Sequence, residues 1–181
     1  AGGCVKKGEE YFKLSHGAVQ VSRPLDSGPW EKGQGFARFL CSPTYGKRVS
    51  MGDFGVTSDR EVDFSVRANN SRYVAVVFGS AGNGGFESDS LVKVVDLKKG
   101  KIITSVVGAK LQVPFVVQKL IMSADGWIGW TAEEYFDDAD DGRIVDVMSV
   151  KPGGSLRRLG VSPQIDPFLL RFGRDHRTVI W

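Results

Sequence analysis

A chain of 181 residues, 41% of them apolar and 25% charged, has the composition of one ordinary globular domain and not of a disordered segment. Its longest apolar run, Val113 to Val117, is broken by Pro114 and falls far short of the roughly 20 residues that a membrane-spanning helix needs. The formal charge of +3 is mild. Lys and Arg are spread out, with small clusters at Lys6-Lys7, Lys98-Lys99 and Arg157-Arg158, so ordinary solvated charge and no nucleic-acid partner are expected.

Period-2 alternation and β-branched residues predict strands over Tyr11–Leu14, Ala18–Ser22, Phe36–Cys41 and Arg48–Met51. A second group is expected over Val62–Ala68, Tyr73–Gly79, Leu91–Asp96 and Ile102–Val107. The third covers Val116–Ser123, Trp127–Ala132, Ile144–Val150 and Leu156–Leu159. Phe168–Phe172 and Thr178–Trp181 begin a fourth. The 23 glycines fall mostly between apolar runs, where tight turns need positive φ. Gly, Pro or an Asn/Asp pair interrupts nearly every window of helical length, so the expected class is all-β.

The groups resemble one another. Arg72-Tyr73-Val74-Ala75 aligns with Gly126-Trp127-Ile128-Gly129, Leu91-Val92-Lys93-Val94 with Arg143-Ile144-Val145-Asp146, and Gly46-Lys47-Arg48-Val49 with Gly100-Lys101-Ile102-Ile103. The offset is about 54 residues, in the range of propeller-blade repeats. The expected unit is an antiparallel four-stranded meander. One domain over residues 1–181 would then hold units at about 9–53, 60–108, 114–161 and a partial one at 165–181. Three and a half blades fall short of the usual four to eight, so the expected propeller is small or incomplete. N-terminal strands or a second copy could complete the last blade.

The segment Val92 to Lys101 is similar to the third-to-fourth strand hairpin of WD-repeat-like and TolB-like propellers, with Val95 where a Trp usually precedes the Asp. With the Gly-Cys start, the second Cys before a Gly-basic turn and the Arg-Tyr-Val-Ala strand, the chain resembles secreted β-propeller-like proteins of actinobacteria. The resemblance implies a fold and an extracytoplasmic setting, and no activity.

An even count of two cysteines, Cys4 and Cys41, suggests one disulfide, of the kind that persists in oxidising compartments. Two reduced buried thiols are the alternative. Ala1-Gly2-Gly3-Cys4 is also similar to the end of a bacterial lipoprotein signal, in which case Cys4 would be lipidated and Cys41 unpaired.

Several segments imitate chemical motifs. Gly79-Ser80-Ala81-Gly82-Asn83-Gly84-Gly85, with Asp96 beyond, imitates a dinucleotide fingerprint. Only Phe86 to Ser90 separate the glycines from the next strand, too few for a crossover helix, so a hairpin loop is expected and no cofactor. Glu133 to Gly142 clusters carboxylates before a glycine, as calcium would require. Ala139 breaks the EF-hand register, and a surface loop with no metal is expected at Asp137–Asp141. Asp63, Asp125, Asp166 and Asp175 lie where glycosidase acids could converge, although Asp125 and Asp175 occupy turn positions that usually serve turn hydrogen bonds. His16 and His176 are too few for a three-histidine zinc site, and no Gly-x-Ser-x-Gly elbow exists. Trp127, Trp130 and Trp181, on matched second strands, could stack on sugar but are expected in core packing. The expected function is a secreted or surface-attached binding module without catalytic residues, for a protein or carbohydrate ligand. A carbohydrate-active enzyme using carboxylates at one face is the alternative.

Overall fold

The computed structural model describes residues 3–82, 87–110, 114–134 and 143–181. Fourteen strands follow one another: β1 (Glu10–Lys13), β2 (Val19–Pro24), β3 (Gly35–Ser42), β4 (Lys47–Val56), β5 (Arg60–Asn69), β6 (Tyr73–Gly82), β7 (Glu87–Asp96), β8 (Lys101–Val107), β9 (Phe115–Met122), β10 (Ile128–Glu134), β11 (Val145–Val150), β12 (Arg157–Ser162), β13 (Arg171–Phe172) and β14 (Val179–Ile180). Each overlaps one of the strands expected from alternation. The only described helix is a single turn of 3-10 type at Ser15–Gly17.

Every strand pair is antiparallel. The strands form an eight-stranded sheet β1 to β8, a four-stranded sheet β9 to β12 and the hairpin β13–β14. Separate four-stranded blades are not established, because β4 and β5 are joined in one sheet. Their joint is narrow, with only Gly55↔Val62 and Val56↔Glu61 paired. Beyond it the strands diverge, and β5–β8 pack face to face against β1–β4. No closed ring or barrel exists among the described residues. β1 lies at the edge of the first sheet beside β2, so the N-terminal strand does not complete the last hairpin.

The molecule is thus a stack of layers, and alternation decides which side chain serves which interface. From β6, Val74 and Val76 point toward β3 and β4, joining Leu40, Val49, Met51, Phe54 and Phe64. The intervening Tyr73, Ala75 and Val77 point the other way, toward Val117, Ile128, Trp130 and Met148 of the next sheet. Val147 of β11 points on to Leu170 and Val179 at the hairpin. A strand covered on both faces needs a continuous apolar run instead of strict alternation, as Tyr73-Val74-Ala75-Val76-Val77 supplies. Phe54, Phe64 and Phe78 clasp the first interface with ring centroids 5.1–5.6 Å apart.

The outer face of the first layer is covered by the N-terminal segment. Cys4 and Cys41 are disulfide-bonded, with Cα atoms 5.7 Å apart. Both are fully buried and pack with Val19 and Val21. With its sulfur in that bond, Cys4 has no thiol to accept a lipid. Arg48 lies 4.2 Å over the Phe39 ring and donates both guanidinium ends to Glu9 at 2.8 and 2.9 Å. At the opposite end of the stack the hairpin leaves Phe168, Leu169, Ile180 and Trp181 exposed.

Candidate functional site

An antiparallel meander returns its turns alternately to two ends. One end collects the links β1–β2, β5–β6, β9–β10 and β13–β14, together with β3–β4, β7–β8 and β11–β12. The first set is tied from layer to layer. The Ser15 hydroxyl donates to Asn69 Oδ1 at 2.7 Å, and Asn69 Nδ2 donates back to the Ser15 carbonyl. Asn70 Nδ2 donates to the Ser123 carbonyl at 3.4 Å. Arg177 lies 4.0 Å from Asp125. Four successive turns therefore form one continuous row.

The row forms because each turn has suitable residues at its tip. Asn70 Oδ1 accepts from the N–H groups of Arg72 and Tyr73, an Asx turn of the type Asn favours. Gly126 has φ +81°, and a β-carbon there would stand 3.1 Å from the Tyr73 ring. Glycine takes this positive φ without strain and lets the turn sit close against the Tyr73 ring. Asp175 accepts from the N–H groups of Arg177 and Thr178 and from the Thr178 hydroxyl. The Thr178 hydroxyl and these N–H groups pull the Asp175 carboxyl down to about 2. Both histidines, His16 and His176, stand in these turns with positive φ.

The second set of turns carries a buried acid. Asp96 ends β7 at 1% side-chain exposure and pairs with Arg72 at 2.8 Å. Its carboxylate also accepts from the Lys99 N–H at 3.0 Å. Burial pushes its pKa up, but the Arg72 and Lys99 bonds outweigh that and hold it below 3.8. The fixed carboxylate closes the turn Asp96-Leu97-Lys98-Lys99-Gly100 and leaves the lysine side chains of that turn exposed.

The four aspartates considered for glycosidic chemistry do not converge. Asp125 and Asp175 stand in the turn row. Asp63 is on β5 toward the other end, paired with Arg38 at 2.8 Å. Asp166 follows β12 toward that same other end, where its carboxylate accepts from the Phe168 N–H. A cavity of about 270 Å³ near this second end is lined by Glu61, Asp63, Ser80 and Asp89. Its carboxylates come from β5 and β7 of one layer, and Asp89 accepts from the Val117 N–H at 2.6 Å. No protein-family model, curated protein or solved structure matches this chain.

The other residues singled out in the sequence are dispersed. Gly79 to Gly82 belong to β6, which pairs antiparallel with β7, so the parallel crossover of a dinucleotide fold is not formed there. Asn83 to Phe86 and the acidic segment Asp137–Asp141 lie outside the described residues. The described residues bring no three His, Cys, Asp or Glu side chains together as a metal site. Of the tryptophans, Trp130 is fully buried between layers and its indole N–H donates to the Gly108 carbonyl. Trp127 instead borders a cavity of about 190 Å³ with Ser149, Lys151, Ser155 and Arg157. Trp181 is exposed. Core packing, expected for all three from their matched second strands, holds for Trp130 alone, because the layer that would cover the other two has only two described strands.

Proposed function

We propose that this chain is a binding module of propeller-type layers that engages its ligand through the turn-lined end, with no catalytic residues of its own. The observation that carries this reading is the row of turns joined by Ser15–Asn69, Asn70–Ser123 and Asp125–Arg177 contacts. Four layers that each contribute one turn to a common edge make a broad, rigid surface. A stacked scaffold of this kind holds loops in fixed relation while their side chains remain free to be specialised. The Cys4–Cys41 disulfide supports an oxidising, extracytoplasmic setting. No described helix is long and apolar enough to cross a membrane.

The experiment is a screen of the chain against aryl glycosides and polysaccharides. Saturable binding without turnover, lost when Asn70 or Asp125 is replaced, is the expected result. Turnover that disappears when carboxylates of two different layers are replaced would establish a carbohydrate-active enzyme and end this reading. Sedimentation equilibrium tests whether a second copy covers the exposed hairpin face of Phe168, Leu169, Ile180 and Trp181. A monomer at tens of micromolar would remove the homo-oligomer.

A further inference from the structure

The modest net charge conceals a local concentration of lysine at one end. The turns β3–β4, β7–β8 and β11–β12 all fall at the end just described. They bring Lys47, Lys98, Lys99, Lys101, Lys151 and Arg157 there, all exposed. The residues are far apart in sequence, and the topology alone collects them. Two contacts show that the turns are neighbours across layers. The Lys47 side chain packs beside Gly100, where an added β-carbon would come within 2.8 Å of it. The Gly153 N–H points at the Thr104 hydroxyl at 3.4 Å. The acid among these turns, Asp96, is already neutralised by Arg72. In the adjacent row, Asp175 is spent within its own turn and Asp125 faces Arg177. The opposite end carries both signs: Asp26, Glu31, Asp59, Glu61, Asp63 and Glu133 stand among Arg23, Lys32, Arg38, Arg60, Lys110 and Arg143, with Asp63 paired to Arg38 and Glu133 to Arg143.

At one end of this basic arc lies the cavity of about 190 Å³ bordered by Trp127, Ser149, Lys151, Ser155 and Arg157. A half-buried indole beside two cations and two hydroxyls combines an apolar plate with charge and hydrogen-bond capacity. An aromatic face suits the C–H face of a sugar ring, and the cations suit an acidic substituent on it. A track of separated lysines suits a polymer that repeats that charge.

We propose that the basic arc and the Trp127 cavity bind an acidic polysaccharide, one bearing carboxylate or sulfate groups along its length. The proposal rests on the reading that this end is the binding surface. A nucleic acid would also meet the charge. The disulfide between Cys4 and Cys41 favours an oxidising compartment over the reducing cytosol and nucleus, where cellular nucleic acid is held. The arc also offers a single aromatic cavity where single-stranded nucleic acid uses successive stacking platforms.

Titration calorimetry of the whole chain with polygalacturonate, heparin, neutral dextran, and single- and double-stranded DNA tests the proposal. Polygalacturonate or heparin should bind, with affinity falling as salt rises because counterions are released. The triple variant K98Q/K99Q/K151Q should lose about tenfold or more in affinity and flatten the salt dependence. Trp127→Ala should lose about fivefold while leaving the salt slope unchanged. The variant K32Q/R60Q/K110Q removes the same charge from the opposite end and should bind as the parent does. Equal loss in both triple variants would show a net-charge effect and overturn the arc. DNA binding as tight as the polysaccharides overturns the ligand class. Dextran bound as well as the acidic polymers, and lost in Asn70 variants, would overturn the acidic ligand while sparing the end-on surface. No binding to any probe overturns both.

Discussion

Replacing both Cys4 and Cys41 with alanine tests how firmly the N-terminal segment belongs to the fold. The bond spans a sequence separation of 37 residues, enclosing β1, β2 and nearly all of β3. The chain-entropy relation gives a loss of about 13 cal/mol/K for such a loop, or about 4 kcal/mol near room temperature. Alanine is the suitable replacement because both sites are fully buried beside Val19 and Val21, where a serine hydroxyl would add its own desolvation cost. For a chain of this size, about 4 kcal/mol corresponds to a fall in Tm of about 8–16 °C. Urea unfolding followed by tryptophan fluorescence and far-ultraviolet circular dichroism measures the same quantity, with an unchanged slope expected if only stability is altered. A loss below about 1 kcal/mol would refute the reasoning. It would mean that the segment Cys4 to Glu9 detaches before the layers unfold, so that the crosslink restrains nothing in the main transition.

Three further outcomes are expected. Arg48 holds Glu9 below its ordinary value of 4.5, and Arg72 with Lys99 holds Asp96 below 3.8. Both carboxylates therefore contribute stability above those values and lose it as pH falls through their folded pKa values. The urea midpoint should drop between about pH 5 and pH 2, and the drop should shrink in Glu9→Gln and Asp96→Asn; an unchanged pH profile in both variants would refute the assignment. Gly55→Ala should cost about 3 kcal/mol, because φ is +154° and the added carbon would stand 2.1 Å from the Gln34 carbonyl oxygen. Gly46→Ala, with φ +64° and open space around it, should cost only about 1 kcal/mol, and equal losses at the two sites would refute the steric argument. Trp130→Phe leaves the buried Gly108 carbonyl without the indole donor and opens a small void, so a loss of about 2–4 kcal/mol by urea unfolding is expected.

The strands were legible because each needs only local information. Val74 and Val76 alternate with Tyr73, Ala75 and Val77, and the glycine turns mark where each run stops. The joining of β4 to β5 was not legible. It rests on two residue pairs near Gly55 and Val56, and nothing in the alternation of Arg48–Met51 announces that the strand continues through Gly52 to Val56. The turn row was half visible. Asp125 and Asp175 were recognised at matching positions, but their neighbours across layers, Ser15 with Asn69 and Asn70 with Ser123, are more than fifty residues apart and become partners only through stacking. The basic arc was hidden for the same reason. Lys47, Lys98 and Lys151 are scattered along the chain and meet only when antiparallel reversal sends their turns to one end. In the sequence Trp127 matches Tyr73, a packed residue that Gly126 covers. The hairpin that follows Trp127 is too small to cover it in the same way.

The narrow joint at Gly55↔Val62 and Val56↔Glu61 also governs how such a chain can be assembled in time. Its layers meet mainly their neighbours, so cohesion is passed along a line, as in repeat arrays whose energetics approach a sum of nearest-neighbour terms. A ribosome releases such a chain in the order in which it stacks. The strands β1–β4 come first, and the bond between Cys4 and Cys41, made once the chain reaches an oxidising compartment, lies wholly within them. The joint tethers β5 to these strands, so the search for the first interface becomes a hinge motion. Closing short loops costs little entropy, and each layer presents the next with a template already set.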